Sequence, residues 1–528
     1  MATYTAPGVY VEEVPAGPAG LSPGATAVAA FVGFTAKSPA KTDDDPEGLK
    51  PRLVTNWSQF ESLYGGFTEG AMLPLAVYGY FNNGGQLAYI VRIPHTEPAK
   101  DPAKLSLLAT DRALGEALEV TTKGPATGED VSIVLDSGPA PEGDADGPST
   151  FNLRVLADGA EVESYEGLTF GAGDKNVEKV VNAESKKVQV AVKLDAATKL
   201  EDIVGDVVKS GSYALAKPAP LPVPVKPKAF AGSDTARTGI NGLVIADDVT
   251  MVAVPDLVTA AKGTDGKVDL KMWKSVQLAL INHCEGQGNR LAILDSPPGM
   301  NAQEIKEWRS DEAMYDSAFA AMYYPWIKVA NPIATNGDSE LLMPPSGHVA
   351  GIWARNDDTR GVWKAPANEV VRGALNVELP ITQAEQGLLN PIGINCIRPF
   401  GTRGIRVWGG RTLGSDEEWK YLNVRRLFNM VEDTILKGTQ WVVFEPNDFS
   451  LWQKVKRQIN SFLRDLWRSG ALFGATADQA FYVKCDEETN PPESIDAGKL
   501  VVEIGIAPVK PAEFVIFRIS QYRNTAGA

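Results

Sequence analysis

Cysteine and histidine are scarce in this chain of 528 residues. Its three cysteines, Cys284, Cys396 and Cys485, lie about 90 to 110 positions apart, and it has only three histidines. An odd, widely spaced set of cysteines neither builds a disulfide scaffold nor fits the spacing of a zinc site. The sequence therefore predicts a chain that folds in a reducing cytosol, with no metal site and no cofactor.

Long apolar runs are also absent. No stretch approaches the roughly 18 uninterrupted apolar residues that a membrane-spanning helix needs. The opening MATYTAPGVYVEEV lacks the basic segment and the apolar segment of a secretion signal. We therefore expect neither Sec export nor direct membrane insertion.

Basic residues are outnumbered over the chain as a whole. There are 51 Lys and Arg against 66 Asp and Glu, which gives a formal net charge of −15. Such a chain repels a phosphate backbone unless one face gathers most of its cations. The composition therefore predicts no nucleic-acid contact.

One region reverses this trend. Between Cys396 and Gly470, 13 basic residues stand against 8 acidic ones. Apolar residues recur at helical spacing from Asp448 to Ser469 and predict an amphipathic helix that faces a core. The basic residues left for its other faces are Lys454, Lys456, Arg457, Arg464 and Arg468. They form either a solvated helix face or a binding surface.

The chain opens on a segment typical of an extended arm. Val9, Tyr10, Val11 and Val14 are strand formers, and the run PAGPAGLSP that follows has almost no side chain that could anchor a core. The sequence predicts a short strand on a flexible lead. The C-terminal EFVIFRISQ is likewise strand-like.

The rest of the chain predicts an α/β and α+β multidomain protein. Near the N-terminus, ATAVAAFVGFTA and LAYIVRI read as strands, and NWSQFESLYGG reads as a helix capped by Asn56 or Ser58 that ends at Gly65. Residues 94–225 are acidic and rich in Gly and Pro, which favours an outer, mostly-β surface domain. The next block predicts strands VTMVAVPD, RLAILDSP and WIKVANP, with helices WKSVQLALINHC, AMYDSAFAAMYY and SGHVAGIWARND, and hence a parallel sheet. Beyond it, IRVWGG and WVVFEP are predicted strands.

Motifs for enzyme chemistry are weak. Asp256 and Asp295 each follow a predicted strand, at the end of an α/β sheet where ligands bind, so they form a conceivable metal-binding pair. Helix capping and turn formation explain both residues as well. His283 and Cys284 are adjacent with no partner for a triad and are expected to pack in a core. We therefore predict no catalytic residue and no enzyme, with a metal-dependent α/β hydrolase as the alternative.

Several longer motifs lie at both ends and in the middle of the chain. They include the opening TAPGVYVEEV, GFT at Gly33–Thr35, GSD at Gly232–Asp234 and PPSGHVAGIWARND. The C-terminal third carries GVWKAPAN at Gly361–Asn368, VWGGRTL at Val407–Leu413, YLNVRRLF at Tyr421–Phe428, VFEPND at Val443–Asp448, GALFGATADQAFYVKCD at Gly470–Asp486 and APVKPAEFVIFRISQ at Ala507–Gln521. In this order the motifs resemble one family, the tail sheath proteins of contractile phage tails and phage-tail-like injection particles, whereas residues 94–225 match that family only loosely.

The resemblance implies a discontinuous mixed α/β core domain with other domains inserted into it. The expected division is an N-terminal arm with a donated strand, residues 1–25, the first part of the core, 26–93, the outer domain, 94–225, an inserted α/β domain, 226–367, the second part of the core, 368–510, and a C-terminal arm with a donated strand, 511–528.

The resemblance also implies the function and the partners. The expected function is a structural and mechanical subunit that forms stacked hexameric rings around an inner tube and contracts to drive the tube through a target envelope. The expected partners are further copies of the chain, the inner tube protein, and the baseplate and terminal cap proteins. The particle would assemble in the bacterial cytoplasm and either stay there or be released.

Two groups of site residues follow from this reading. The basic residues Lys454, Lys456, Arg457, Arg464 and Arg468 are candidate contacts to the inner tube. A strand on a flexible lead cannot pair its backbone groups alone, so both arms are expected to add to sheets of adjacent subunits. The candidate residues for this strand addition are Val9, Tyr10, Val11, Val14, Phe514, Val515, Ile516, Phe517 and Ile519.

Overall fold

The chain divides into two compact units. The computed structural model describes residues 21–40, 45–97, 101–108, 116–124, 130–137, 150–193, 211–216, 221–222, 224–263, 265–334 and 339–518. The first unit comprises residues 1–93 and 226–528, and the second comprises residues 94–225. The second unit has the bounds expected for the outer domain.

The described helices and strands have the following bounds. The helices are α1 Trp57–Tyr64, α2 Leu73–Asn82, α3 Val177–Glu184, α4 Pro227–Ala231, α5 Gly239–Gly242, α6 Leu257–Ala261, α7 Leu270–Gln287, α8 Ala302–Glu307, α9 Ser346–Arg360, α10 Gln383–Leu389, α11 Leu422–Gly438, α12 Phe449–Arg468, α13 Ala477–Ala480 and α14 Pro492–Asp496. The strands are β1 Val28–Gly33, β2 Arg52–Val54, β3 Leu87–Arg92, β4 Thr96–Glu97, β5 Lys104–Leu108, β6 Glu116–Thr122, β7 Val131–Ser137, β8 Phe151–Ala157, β9 Ala160–Leu168, β10 Val188–Val192, β11 Gly211–Ala214, β12 Leu221–Pro222, β13 Met251–Ala253, β14 Leu291–Asp295, β15 Ala320–Tyr324, β16 Ile327–Ala330, β17 Glu340–Met343, β18 Glu369–Val370, β19 Ala374–Val377, β20 Ile394–Pro399, β21 Ile405–Trp408, β22 Phe481–Lys484 and β23 Glu503–Ile506.

A single large sheet organises the first unit. Among the described residues it has nine strands in the order β18-β21-β20-β15-β14-β13-β1-β3-β2. The six strands from β20 to β3 run parallel, and antiparallel strands lie at both edges. Every residue of β1, β13, β14 and β15 is buried, as expected for a parallel sheet covered on both faces. The predicted parallel α/β sheet is confirmed.

This sheet corrects the predicted separation of residues 226–367 from the core. Phe31 of β1, Ile293 of β14, Trp353 of α9 and Val407 of β21 belong to one buried cluster, although they come from three of the predicted segments. Residues 26–93, 226–367 and 368–510 therefore all contribute strands to one sheet and side chains to one core. The physical reason is that parallel strands pair through crossovers, so strands distant in the sequence become neighbours.

Two helices on this sheet pack unusually close together. A Cβ atom added to Gly347 of α9 would lie 2.4 Å from the Cα of Ala76 in α2, and one added to Gly351 would lie 2.4 Å from the carbonyl oxygen of Tyr80. Only glycine permits this approach of the two backbones. The glycines of the GHVAG motif therefore hold α9 against α2.

Several predicted elements differ in the structure. The run AMYDSAFAAMYY ends in strand β15 rather than forming a helix, because its last residues fill the centre of the buried sheet. WIKVANP contains β16 as predicted, but this strand lies in a separate antiparallel sheet, β17-β16-β19. WVVFEP is wrong as a strand, since Gln440–Val442 form a short 3-10 turn between α11 and α12.

The second unit is mostly β, as expected. Its described strands form the sheets β10-β6-β5, β11-β7-β8-β9 and β12-β4, with helix α3 packed against β10. A separate apolar cluster holds the unit together, with Leu118, Val155, Tyr165 and Val181 among its members.

Candidate functional site

Helix α12 is built on a buried apolar face at the C-terminal end of the first unit. The carboxylate of Asp448 caps its N-terminus by accepting a hydrogen bond of 2.8 Å from the backbone N–H of Leu451. The buried residues of this helix are Leu451, Trp452, Val455, Gln458, Ile459, Phe462, Leu463 and Leu466. They pack against α11 and β22 in one cluster. The predicted helix and its core-facing residues are confirmed.

Four of the five predicted basic residues lie in one line on the exposed side of α12. Lys454, Arg457, Arg464 and Arg468 are exposed and follow one another at intervals of three, seven and four residues. At about 100° per residue these intervals keep them within an arc of about 80° around the helix axis. We call these four residues the basic stripe. Lys456 is half-buried and lies off this line, so the helix separates it from the stripe.

The charges of the basic stripe are largely free. Within the described residues its one ion pair joins Arg468 to Asp465 at 3.7 Å, and both of these side chains are about two thirds exposed. An exposed pair of this kind contributes about 0 to 1 kcal/mol. The stripe is therefore an accessible row of cations on a chain of net negative charge.

Helix α11 binds the two segments that connect the arms to the body of the subunit, which we call the leads. The backbone N–H of Gly24 donates to Thr434 Oγ1 at 3.0 Å, and Arg426 donates to the carbonyl of Thr26 at 3.0 Å. Near the other end of the same helix, Asn423 donates to the carbonyl of Val509 at 3.0 Å. The two leads are thus attached to one rigid element.

An ion pair fixes the start of the C-terminal arm. Arg411 binds the carboxylate of Glu513 through one edge of its guanidinium, where Nε donates to Oε1 at 2.9 Å and Nη2 donates to Oε2. Phe514, Val515, Ile516 and Phe517 follow immediately and are 69–83% exposed. No strand forms in residues 511–518 of this single chain. The arm therefore leaves the body at Glu513 with its apolar side chains uncovered.

The remaining strand-addition candidates lie outside the part of the chain that the structure describes. Ile519 lies outside the described residues, as do Val9, Tyr10, Val11 and Val14. Their role stays a prediction.

Asp256 is used to join three segments of backbone. Its carboxylate accepts hydrogen bonds from the N–H groups of Phe34 at 2.6 Å and Leu73 at 3.1 Å, and from that of Met72. These last two donors lie at the start of α2, so Asp256 caps a helix distant in the sequence. Burial raises its pKa to about 7, although the three donors favour the charged form.

Asp295 has a similar role on the neighbouring strand. Its carboxylate accepts a hydrogen bond of 2.9 Å from the N–H of Ser346, the first residue of α9. Burial raises its pKa to about 7. Among the residues that the structure describes, no group of three or more His, Cys, Asp or Glu side chains could hold a metal ion. Both aspartates therefore act as helix caps, but each caps a helix distant in the sequence rather than the segment that it begins.

The other candidates for chemistry are packed in the core. His283 and Cys284 are buried in α7, and His348 is buried in α9 against Gly79. Burial lowers the pKa of both histidines to about 4. They are therefore neutral packing residues at ordinary pH, as expected.

No helix in the described ranges is both long and apolar enough to cross a membrane.

Comparison with known proteins gives the family. The sequence model of the phage tail sheath protein central domain matches residues 246–413, and that of the phage tail sheath C-terminal domain matches residues 414–521. A putative prophage major tail sheath protein of Pseudomonas aeruginosa is 28% identical over 46% of this chain, and the tail sheath protein of Vibrio phage KVP40 is 24% identical over 54% of it. The chain spans only 62% and 45% of the length of these two relatives.

The fold is also that of solved sheath structures. The contracted sheath of the PVC extracellular contractile injection system has a TM-score of 0.56 at 24% identity, and the alignment covers 99% of each chain. The contracted helical sheath of the anti-feeding prophage has the same TM-score and identity, over 98% of this chain and 100% of the other. The two family matches together span just over half of the chain, from residue 246 to residue 521, and this chain belongs to the phage tail sheath protein family.

Proposed function

We propose that this chain is the sheath subunit of a contractile particle. It polymerises as stacked hexameric rings around an inner tube, and the sheath contracts to drive the tube through a target envelope. The observation that carries this proposal is the exposed apolar segment Phe514–Phe517, which follows directly on the Arg411–Glu513 ion pair. An exposed apolar segment that an ion pair attaches to the body of the subunit is suited to being covered by a neighbouring copy.

The arms would link the copies by strand addition. Strands β22 and β23 form a sheet that has two strands within the described residues, and such a small sheet gains stability from further strands. A donated strand with about four main-chain hydrogen bonds, at roughly 0.5 to 1.5 kcal/mol each, contributes a few kcal/mol per link. Links repeated around every ring would hold the sheath together while other interfaces change.

The basic stripe would contact the inner tube in the extended sheath. Lys454, Arg457, Arg464 and Arg468 are exposed on one side of a helix whose opposite side is anchored in the core. Acidic groups on a tube would pair with them, and pairs worth about 0 to 1 kcal/mol each can guide assembly without trapping the extended state. Lys456 does not belong to this contact.

Contraction would release conformational free energy stored during assembly. The subunits rotate and repack, and the sheath itself consumes no nucleotide in this scheme. Baseplate proteins would contact one end of the sheath, and terminal cap proteins would contact the other end. Assembly would take place in the bacterial cytoplasm, within a particle that is retained or released.

Negative-stain microscopy of the purified chain tests the proposal. We expect stacked rings or tubes, and extended tubes when the chain is produced together with its inner tube protein. As a control, deletion of Ala2–Gly20 should give a soluble, folded monomer that does not polymerise. A wild-type chain that stays monomeric at high concentration, with or without the tube protein, would contradict the proposal.

A further inference from the structure

A polar cavity of about 330 Å³ lies at the amino-terminal ends of β15 and β20. Asp295 ends β14 and Asp256 follows β13, so both lie at the carboxyl-terminal ends of the parallel strands, opposite the ends where this cavity lies. Its lining includes three cations, Arg309, Arg411 and Lys420, and the mouth includes the exposed residues Ser310 and Met314. A cavity of this size can hold a side chain or a small molecule.

Two of the three cations already have carboxylate partners. Arg411 binds Glu513, and Lys420 Nζ lies 2.9 Å from Glu417 Oε2. Asp316, the remaining acid in the lining, accepts hydrogen bonds of 2.8 Å from both the N–H and the hydroxyl of Ser415. The acids around the cavity are therefore occupied.

Arg309 differs from its neighbours. It is only 8% exposed, and no carboxylate within the described part of the chain forms an ion pair with it. Its Nη2 donates to the carbonyls of Tyr315 at 2.5 Å and Leu413 at 3.5 Å, and its buried Nε has no hydrogen-bond partner there. Since a guanidinium stays charged, this is a buried charge that is stabilised by backbone carbonyls, by the Tyr315 ring at 6.0 Å and by the nearby Asp316 carboxylate, but by no ion pair within the described residues. Such a site favours an anion.

We propose that the cavity is a carboxylate-binding site, in which Arg309 takes an acidic side chain from a second copy of this chain. The inference rests on the proposed self-assembly. Two observations favour a second copy over a free anion. The cavity wall includes Arg411, which fixes the start of the arm that would link the copies, so a linked neighbour is close at hand. Met314, 63% exposed at the mouth, is of a residue type enriched in protein interfaces.

Ser310→Glu tests the site without touching the buried contacts of Arg309. The new carboxylate stands at the mouth, where it competes with the incoming one. We expect the lowest concentration at which tubes form to rise at least about tenfold, the effect of losing one charge-assisted hydrogen bond. Ser310→Gln, of the same size but without charge, should assemble as the wild type does. Arg309→Lys, which keeps the charge, should assemble better than Arg309→Gln.

The outcomes separate this inference from the proposed function. Wild-type chains that form no tubes contradict the proposed function, and the cavity inference fails with it. If wild-type tubes form and Ser310→Glu assembles at the same concentration, the inference alone is wrong. Inorganic phosphate serves as a free-anion probe: if it raises the melting temperature of the wild type but not of Arg309→Gln, while Ser310→Glu assembles normally, the site binds a free anion and the second copy is overturned as its source.

Discussion

Arg426 and Asp357 form a bidentate ion pair in which each side chain is only 3% exposed. The two hydrogen bonds measure 2.9 and 2.6 Å, and the guanidinium also lies 4.7 Å from the centre of the Trp353 ring. The pair joins α11 to the end of α9, and therefore joins the helix that holds the arm leads to the large sheet. Its geometry compensates the cost of removing two charges from water only while both partners are present.

The first prediction concerns this pair. Asp357→Ala should lower the free energy of unfolding by about 3 to 5 kcal/mol, because it leaves the Arg426 charge buried and unpaired. The double variant Asp357→Leu with Arg426→Met should cost less than this single change. Urea unfolding of the three proteins measures both values. If Asp357→Ala lowers the free energy of unfolding by less than the double variant does, the assignment of the pair as ionised and buried is contradicted.

The second prediction separates the two capping aspartates. Asp295→Asn keeps an oxygen that accepts from the N–H of Ser346, so it should be tolerated. Asp256→Asn places an amide NH2 against backbone N–H donors, because both carboxylate oxygens of Asp256 are acceptors. It should cost about 1 to 3 kcal/mol. Thermal unfolding at pH 7 checks this order.

The third prediction gives the pH dependence of Asp295. Its pKa rises from 3.8 to about 7 on folding, so over that window the folded chain holds more protons than the unfolded chain. This carboxyl group therefore makes stability fall as pH rises from 3.8 to about 7. Asp295→Asn removes the effect, so its stability relative to wild type should improve between pH 4 and pH 8. A constant difference across that range would contradict the raised pKa.

The fourth prediction tests the basic stripe. Arg457→Glu with Arg464→Glu should leave folding and self-assembly intact but prevent extended sheath from forming on tubes, because two attractive pairs become repulsive. The matched control is Lys456→Glu with Lys499→Glu, which changes the net charge equally at positions off the stripe. Electron microscopy of particles produced with the tube protein distinguishes them. Normal extended particles from the stripe variant would identify the stripe as a solvated helix face.

The fifth prediction tests strand donation by the C-terminal arm. Val515→Pro with Phe517→Pro removes two N–H groups that point to the same side of an extended strand, so polymerisation should be lost. Val515→Ile with Phe517→Ile keeps both donors and should polymerise. Light scattering against concentration measures the difference. Equal polymerisation of the two variants would show that the arm does not act through main-chain hydrogen bonds.

The sequence predicts those features that depend on local periodicity. The spacing of apolar residues gives helix α12, and the apolar runs of β1, β13 and β14 give a parallel sheet. The helix predicted for AMYDSAFAAMYY is wrong because a short apolar run rich in Ala suits either a helix or a strand, and its place in the sheet decides between them. The predicted separation of residues 226–367 from the core is wrong because the pairing between β1 and β13 is not visible in either strand alone.

Side-chain partners distant in the sequence could not be predicted. Asp256 caps a helix 184 positions away, Arg426 pairs with a residue 69 positions away, and Arg411 pairs with one 102 positions away. The motifs VWGGRTL and YLNVRRLF contain these arginines, but nothing in a motif identifies the carboxylate that it meets. The basic stripe could be predicted in part, because helical geometry alone places Lys456 on a different side of the helix from the other four basic residues.

The attachment of both leads to α11 has a mechanical consequence. Thr434 and Asn423 lie 11 residues apart on this helix, a rise of about 16 Å at 1.5 Å per residue. With the arms engaged in neighbouring subunits, tension that enters through one arm would pass along this short rod and leave through the other. The Arg411–Glu513 ion pair lies between the C-terminal arm and this helix, so part of the tension would also reach Arg411, whose N–H donates to Asn395 of the large sheet. Each subunit could then turn as a rigid body during contraction, while the arms and the α11 helices of successive subunits carry the tension.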